Sequence, residues 1–244
     1  MLGLIIMTSR TRPTPNARLP NPTMISLQKP KAVLFDWDGT LMDSVESIYT
    51  CFNHVQKHFG RPPLTLEQFQ ENMKIGTAKE IFKKVFQDTP DLIQEAYDVF
   101  YANIPDIRAQ YATFMPGARE FLEDLHARDI PMGIVSNMNH TFLVKEMAHL
   151  GVDTYFEAIV GAGEAPRGKP SPDHVYVALD RMGIDRSEAK DIWFIGDMEP
   201  DERAARAAGC PFIYYVGQHD PNALKAQYVF SDYDQFKVDM DTLF

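Results

Sequence analysis

The stretch KAVLFDWDGTLMDS, residues 31–44, decides the fold. Its apolar run at 32–35 is the pattern of a strand buried on both faces of a parallel sheet. Asp36 and Asp38 follow at a spacing of two, so their side chains point to the same side while the chain stays extended. Two such carboxylates repel each other unless a cation lies between them. Gly39 allows a tight turn, and Thr40 can hydrogen-bond the backbone of that turn. Because open α/β sheets bind ligands at the carboxyl ends of their strands, a ligand site is expected here.

Length, composition and charge limit the possible functions. The 244 residues suffice for one large α/β domain or for a core with a smaller domain. Hydrophobic and charged contents of 45% and 24% are typical of a soluble globular protein, and no apolar run could span a membrane. Residues 1–31 hold five of the 24 basic residues and no acidic one, although the net charge is −10. The acidic remainder argues against a nucleic-acid-binding surface.

Cysteine and histidine spacings give no separate metal or disulfide signal. Cys51 and Cys210 lie far apart and form no CxxC motif, which favours two reduced thiols in a cytoplasmic protein. His54 and His58 could share a metal on one helix face, but no third ligand is evident nearby. The histidine pair is therefore interpreted as part of a helix surface.

Residues 1–30 are predicted to be a flexible N-terminal extension. Five prolines interrupt any regular structure, and the initial MLGLIIM is too short for the apolar part of a signal peptide. Met7 and Met24 are alternative start positions. Because the segment is Arg-containing and free of acidic residues, an organellar transit peptide also stays open.

Hydrophobic periodicity divides the remainder into two regions. Helices are predicted from Val45 to Gly60 and over 66–73, 78–86 and 92–104, so residues 44–111 form an all-helical insertion. Residues 31–43 and 112–244 then alternate strands with helices, and the later strands are predicted at 130–135, 158–160, 192–195 and 212–216. This pattern predicts an α/β core with a doubly wound, parallel, Rossmann-like sheet.

Four groups of polar residues follow predicted strands, in one order along the chain. They are Asp36 with Asp38, Ser136-Asn137, Lys169, and Asp197 with Asp201. Each alone could be a helix cap or a solvated loop residue. Together they place carboxylates, hydroxyl and amide groups and a cation at one edge of a sheet.

The four segments resemble, in order, the four motifs of the haloacid-dehalogenase-like (HAD) hydrolases. The matching segments are FDWDGTLMDS at 35–44, VSN at 135–137, GKPSPD at 168–173 and GDMEPDERAARAAG at 196–209. The resemblance covers about residues 31–218, and the helical insertion is similar to the small cap of the phosphoglycolate-phosphatase-like branch. One departure is Met198, where that branch often has a threonine; a small effect is expected because the carboxylates keep their places.

The resemblance implies a Mg²⁺-dependent phosphomonoester hydrolase that acts on a small phosphorylated metabolite. Asp36 would be the nucleophile that forms an aspartyl-phosphate, and Asp38 would protonate the leaving alcohol and then deprotonate water. The implied metal ligands are Asp36, Asp197 and the backbone carbonyl of Asp38, with Asp201 supporting them. The implied phosphate-binding residues are Thr40, Ser136, Asn137 and Lys169, the last of which would also serve catalysis by its charge.

Substrate choice is expected to lie in the cap. The stretch 72–79 spans the break between two predicted helices. It carries Lys74 and Lys79, either of which could contact an anionic part of the substrate. Cap hinges are expected near residues 43–44 and 111–116. A phosphosugar mutase and a non-catalytic HAD-like binding protein remain alternatives, whereas a dehalogenase is disfavoured because that branch needs no acid/base carboxylate at the position of Asp38. The substrate and the oligomeric state stay open.

Overall fold

A computed structural model describes residues 27–73, 75, 78–217 and 219–243. Its strands are β1 (Ala32–Phe35), β2 (Met42–Asp43), β3 (Thr113–Phe114), β4 (Met132–Asn139), β5 (Ala158–Ala162), β6 (Ile192–Gly196), β7 (Phe212–Tyr215) and β8 (Tyr228–Phe230). Its α-helices are α1 (Val45–His58), α2 (Leu66–Met73), α3 (Ala78–Val85), α4 (Ile93–Tyr111), α5 (Ala118–Ala127), α6 (His140–Leu150), α7 (Asp173–Arg181), α8 (Glu199–Ala208) and α9 (Tyr233–Leu243). Short 3₁₀ turns lie at Pro90–Leu92, Asp153–Tyr155 and Arg186–Asp191.

A six-stranded parallel sheet forms the centre of the core. The strand order is β5-β4-β1-β6-β7-β8, and every neighbouring pair is parallel. The chain runs outward from β1 in both directions, to β4 and β5 on one side and to β6, β7 and β8 on the other. The carboxyl end of β1 is therefore the switch point at which such sheets bind ligands. The predicted α/β, doubly wound fold is confirmed.

Strand β1 is buried on both faces, as its apolar run predicts. Val33 and Phe35 contribute to one hydrophobic cluster, which α5, α6 and α9 cover. Ala32 and Leu34 contribute to a second cluster on the opposite face, which α7 and α8 cover. All four side chains are fully buried, so β1 fixes the position of the residues that follow it.

The helical insertion has a hydrophobic cluster of its own. Helices α1 to α4 meet around aromatic side chains, and the ring centroid of Phe52 lies 5.0 Å from those of Phe82 and Phe100 and 6.0 Å from that of Phe69. The insertion joins the core through a short antiparallel ribbon, in which β2 pairs with β3. These two-residue strands lie in or next to the segments where we expect the hinges.

Helix α4 is longer than the sequence predicts. The predicted end at Ile104, before Pro105, is wrong, since the helix continues to Tyr111. Pro105 lacks an N–H and therefore removes one helical hydrogen bond. Ile104 and Arg108 nevertheless lie one turn apart on the same buried face, and this burial holds the last turns together.

The ends of the core also differ from the prediction. Strand β4 continues past Val135 to Asn139, and β8 and α9 form where no element is predicted. Leu27 and Pro30, in the predicted extension, are buried, while residues 1–26 lie outside the described residues. Across the described ranges, no helix is long and apolar enough to cross a membrane.

Candidate active site

Two adjacent strand ends bring the principal carboxylates together. Asp36 follows β1, and its backbone N–H donates to the carbonyl of Ile195 at 2.9 Å. Asp197 follows the neighbouring strand β6, and Asp201 lies in the first turn of α8. These three carboxylates are buried, and each offers an oxygen within 4.8 Å of the others. The structure thus groups three of the predicted site residues.

Lys169 supplies positive charge to this cluster. Its Nζ lies 2.5 Å from Oδ1 of Asp36 and 2.7 Å from Oδ1 of Asp201, and its side chain is 3% exposed. Burial by itself would lower the pKa of Lys169, but the carboxylates of Asp201 and Asp36 raise it, so the amine stays protonated. Burial and the charge of Asp201 raise the pKa of Asp36 well above its usual range, which Lys169 opposes.

Asn137 positions the backbone of Lys169. Its Nδ2 donates to the carbonyl of Lys169 at 2.9 Å, and its Oδ1 accepts from the backbone N–H of Lys169 at 2.9 Å. A Cβ on Gly168 would lie only 2.5 Å from Oδ1 of Asn137, so this approach requires glycine. The side chain of Asn137 therefore joins β4 to the lysine loop, and the predicted binding of phosphate by the backbone near Asn137 stays a prediction.

Asp201 fixes the loop that carries Asp197. One of its oxygens, Oδ2, accepts from the backbone N–H of Met198 at 3.0 Å and from that of Asp197 at 3.3 Å. Its other oxygen is the one that contacts Lys169. The backbone of Met198 makes this contact, so the departure from threonine leaves the hydrogen bond in place.

Two further groups bind the carboxylate of Asp197. The Thr40 hydroxyl donates to Oδ1 at 2.8 Å, and Nε2 of His219 lies 3.5 Å from Oδ2. Burial raises the pKa of Asp197, whereas the contact with His219 opposes that rise. The hydroxyl of Thr40, predicted to bind phosphate, is engaged by this carboxylate, and its role toward phosphate stays a prediction. Sequence reasoning missed His219, which follows β7 without a recognisable motif.

Asp38 faces the helical insertion. Its Oδ1 forms an ion pair with Nη2 of Arg108 at 2.8 Å, and its side chain is 26% exposed. Arg108 also pairs with Glu146 of α6. Neither residue is predicted as part of the site, and for Arg108 the reason is that the sequence pattern predicts the end of the helix before Pro105. The available signal was the i, i+4 series Ala96, Phe100, Ile104 and Arg108, in which an arginine continues an apolar face.

The other predicted site residues are less informative in the structure. Ser136 is buried within β4, three residues before its end, and its hydroxyl accepts from the backbone N–H of Met138 at 3.0 Å. Lys79 is exposed on α3. Lys74 lies outside the described residues.

The donor set fits a hard divalent cation. Asp36, Asp197 and Asp201 bring three carboxylates to one buried place, and the ammonium of Lys169 contacts those of Asp36 and Asp201. Burial first, and then the charge of Asp201, raise the pKa values of Asp36 and Asp197, and a divalent cation would offset both effects. Mg²⁺ prefers oxygen ligands and few protein carboxylates.

Comparisons with known proteins agree with this geometry. A family model for haloacid dehalogenase-like hydrolases matches residues 33–215. The phosphoglycolate phosphatase of Chromobacterium violaceum is 31% identical over 195 residues, 78% of this chain and 86% of that protein. The corresponding enzyme of Rhodobacter capsulatus is 30% identical over 198 residues, 80% of this chain and 88% of that protein. A HAD-superfamily hydrolase structure from Geobacter sulfurreducens has a TM-score of 0.66 at 26% identity and covers 90% of this chain and 100% of its own. The chain therefore belongs to the haloacid dehalogenase-like hydrolases, and within them it is an enzyme of the phosphoglycolate-phosphatase-like branch.

Proposed function

We propose that this protein is a Mg²⁺-dependent phosphatase that hydrolyses a small phosphorylated metabolite through an aspartyl-phosphate on Asp36. The observation that carries the proposal is the 2.5 Å contact between Oδ1 of Asp36 and the ammonium of Lys169 at the carboxyl end of β1. A buried carboxylate beside a fixed cation can approach an anionic phosphate that would otherwise repel it. The family membership and the relatives named phosphoglycolate phosphatase support the same reaction class.

The proposed reaction consists of two successive displacements at phosphorus, in which Asp36 and Asp38 take different roles. A carboxylate oxygen of Asp36 attacks phosphorus while the bond to the leaving oxygen breaks, and the carboxyl group of Asp38 donates its proton to that oxygen. Asp38 then accepts a proton from water as the water oxygen attacks the same phosphorus, which releases inorganic phosphate and restores Asp36. Lys169 and the hydroxyl of Ser136 would bind the phosphoryl oxygens.

We assign the metal ligands to Asp36, Asp197 and the backbone carbonyl of Asp38, with Asp201 holding Asp197 and Lys169 in place. When bound, Mg²⁺ supplies positive charge that neutralises the nucleophile and the phosphate. The hydrogen bonds from the backbone of Asp197 and Met198 to Asp201 support this division, because they leave Asp201 engaged on both oxygens.

The cap lysines are proposed as the substrate-selecting residues, Lys79 being the one that the structure describes. Lys79→Ala should raise KM for the preferred substrate and leave turnover of p-nitrophenyl phosphate unchanged, because that compound has no remote anionic group. Lys83→Ala, on the same helix, is the matched control. A cytoplasmic location is also proposed, which the two buried free thiols Cys51 and Cys210 support.

The experiment that tests the function combines turnover with trapping. The purified chain is assayed with and without Mg²⁺ against 2-phosphoglycolate, other small phosphate esters and p-nitrophenyl phosphate, and an acid-quenched sample is examined by intact mass for one added phosphoryl group. Asp36→Asn should lose both turnover and the adduct, whereas Asp88→Asn, an exposed carboxylate of the cap, should keep them. Full activity in EDTA would contradict the requirement for a metal ion. Wild-type turnover in Asp36→Asn would contradict the covalent mechanism. Isomerisation of a hexose phosphate without phosphate release indicates the mutase instead.

A further inference from the structure

The carboxylate of Asp38 meets a buried cation that belongs to the cap. Nη2 of Arg108, near the end of α4, lies 2.8 Å from Oδ1 of Asp38 in an ion pair that does not have hydrogen-bond geometry. The Arg108 side chain is only 3% exposed, although it is carried by the inserted helices rather than by the core. A buried guanidinium is stable only where carboxylates or other acceptors pair with it. The contact is therefore a built part of the cap–core interface.

Glu146 also holds the guanidinium of Arg108. Its Oε2 accepts from Nε of Arg108, and its Oε1 accepts from Nη2 at 2.7 Å. Such a two-pronged pair sets the plane of the guanidinium as well as its position. Nε1 of Trp37 also donates to Oε1 of Glu146 at 2.9 Å. Because Trp37 directly precedes Asp38, the contacts form a closed ring through Asp38, Arg108, Glu146 and Trp37.

The same two helices make a second contact. The rings of Tyr101 on α4 and Phe142 on α6 are stacked with centroids 4.9 Å apart. Tyr101 precedes Arg108 by two helical turns, and Phe142 precedes Glu146 by one. Helix α4 is thus seated on α6 at two places, one aromatic and one ionic, and the ionic one ends on Asp38.

The chemistry of arginine limits what Arg108 can do. The charges of Asp38 and Glu146 raise its pKa against the effect of burial, so it does not exchange protons in the reaction. A permanently charged, planar group can instead hold the carboxylate of Asp38 in one orientation. General acid catalysis depends on that orientation, because the proton must lie within hydrogen-bond reach of the leaving oxygen.

We propose that Arg108 is a positioning residue for Asp38, and that it makes proton donation to the leaving group depend on the seating of α4 on the core. This inference rests on the proposed function, since it assigns a support to the acid of that reaction. Glu146 and Trp37 hold Arg108 in place. The competing interpretation is that the ring only ties the cap to the core and contributes stability.

The dependence on the leaving group separates the two interpretations. p-Nitrophenolate leaves without a proton, whereas an alkoxide needs one, so only the alkyl ester tests the acid. Arg108→Lys keeps the charge but loses the planar fork. We expect kcat/KM to fall about 100-fold for a primary alkyl phosphate, near the lower limit for general acid catalysis, and less than about fivefold for p-nitrophenyl phosphate. A series of aryl phosphates should show a steeper dependence on leaving-group pKa than the wild-type protein does.

Matched variants control for folding. Arg61→Lys replaces another cap arginine, whose Nη2 lies 2.8 Å from Asp88 and whose guanidinium lies over Phe86. It should leave the leaving-group dependence unchanged. Glu146→Gln keeps the shape of the ring and removes one charge, so it serves if Arg108→Lys fails to fold. It should steepen the dependence in the same direction by a smaller factor.

Two kinds of result overturn the inference. Equal fold losses for alkyl and p-nitrophenyl esters, with a lower Tm, indicate a tie between cap and core only. Unchanged kinetics in Arg108→Lys, or an unchanged dependence in Glu146→Gln when the first variant does not fold, remove the positioning role. If the wild-type protein hydrolyses none of the esters, the proposed function itself fails, which is a separate outcome.

Discussion

Replacing Lys169 by methionine should destabilise the protein by an amount that the structure defines. The ammonium lies 2.5 Å from Asp36 and 2.7 Å from Asp201, and the three side chains are 3%, 10% and 2% exposed. Methionine fills similar space and removes the charge, so two buried carboxylates lose their cationic partner. Removing one partner of a buried ion pair costs about 3–5 kcal/mol.

The expected change in Tm follows from the size of the chain. For domains of this size, 1 kcal/mol shifts Tm by about 2–4 °C, so a cost of about 3–5 kcal/mol means that Lys169→Met should melt about 6–20 °C below the wild-type protein in EDTA. The matched control is Lys237→Met, which removes a partly exposed lysine 2.8 Å from Asp124. Such surface pairs are worth about 0–1 kcal/mol, so this control should melt within about 4 °C of the wild-type protein.

The effect should also depend on pH with a definite sign. A carboxyl group whose pKa is raised by folding stays protonated at a pH where the same group in the unfolded chain is ionised. The folded protein therefore loses stability as pH rises through the folded-state pKa. Without Lys169, the pKa of Asp36 rises further, and the deficit in Lys169→Met should be smaller at about pH 5 than at about pH 8. Adding Asp36→Asn should recover part of the stability. An equal Tm for the two lysine variants, or a deficit that grows toward acid, would refute the reasoning.

Two other predictions concern conformation and acid stability. Gly39 has φ +84°, and a Cβ there would lie 2.8 Å from Cγ of Asp197, so Gly39→Ala should lower activity at least about tenfold and raise the Mg²⁺ concentration for half-maximal activity. Gly60→Ala, with φ +64° and nothing within 4 Å of its Cβ, should lose only about 1 kcal/mol in thermal unfolding and keep full activity. Burial lowers the pKa of His174 to about 4. Between about pH 6.5 and pH 4 this histidine is therefore protonated in the unfolded chain but not in the folded protein. As pH falls through this range, the free energy of unfolding should decrease by up to about 3 kcal/mol. His174→Leu should flatten that decline in urea titrations, and an unchanged slope would contradict it.

The core motifs could be predicted because each depends on local sequence. The run at 32–35 needs no partner to indicate a buried strand, and a polar residue after such a run falls at the ligand-binding edge of the sheet. Asp36 and Asp197 meet for that reason alone, since β1 and β6 are parallel neighbours. The glycines beside the carboxylates carry the same local signal, because close approach excludes a Cβ.

The contacts of Asp38 could not be predicted in the same way. Arg108 reaches Asp38 only because α4 continues past Pro105, and sequence rules treat an internal proline as a probable end. Tertiary burial decided otherwise. Glu146 sits on a helix whose periodicity predicts its apolar face but not which charged residue of the cap its polar face meets. The two-residue strands β2 and β3 are likewise defined by their pairing rather than by propensity.

Several residues at the motif positions bind other site residues, and electrostatics explains why. Three buried carboxylates repel one another, and the single charge of Lys169 does not neutralise them. Hydrogen bonds between the site residues and the surrounding backbone must therefore hold the cluster in place. Asn137 holds the backbone of Lys169, Asp201 holds the loop of Asp197, and Thr40 binds the Asp197 carboxylate itself. These contacts preorganise the charges before a substrate arrives, which is how fixed dipoles and ions lower the energy of a transition state. Altering Asn137 should therefore reduce the electrostatic contribution of Lys169 to transition-state stabilisation, even though the amide of Asn137 carries no charge.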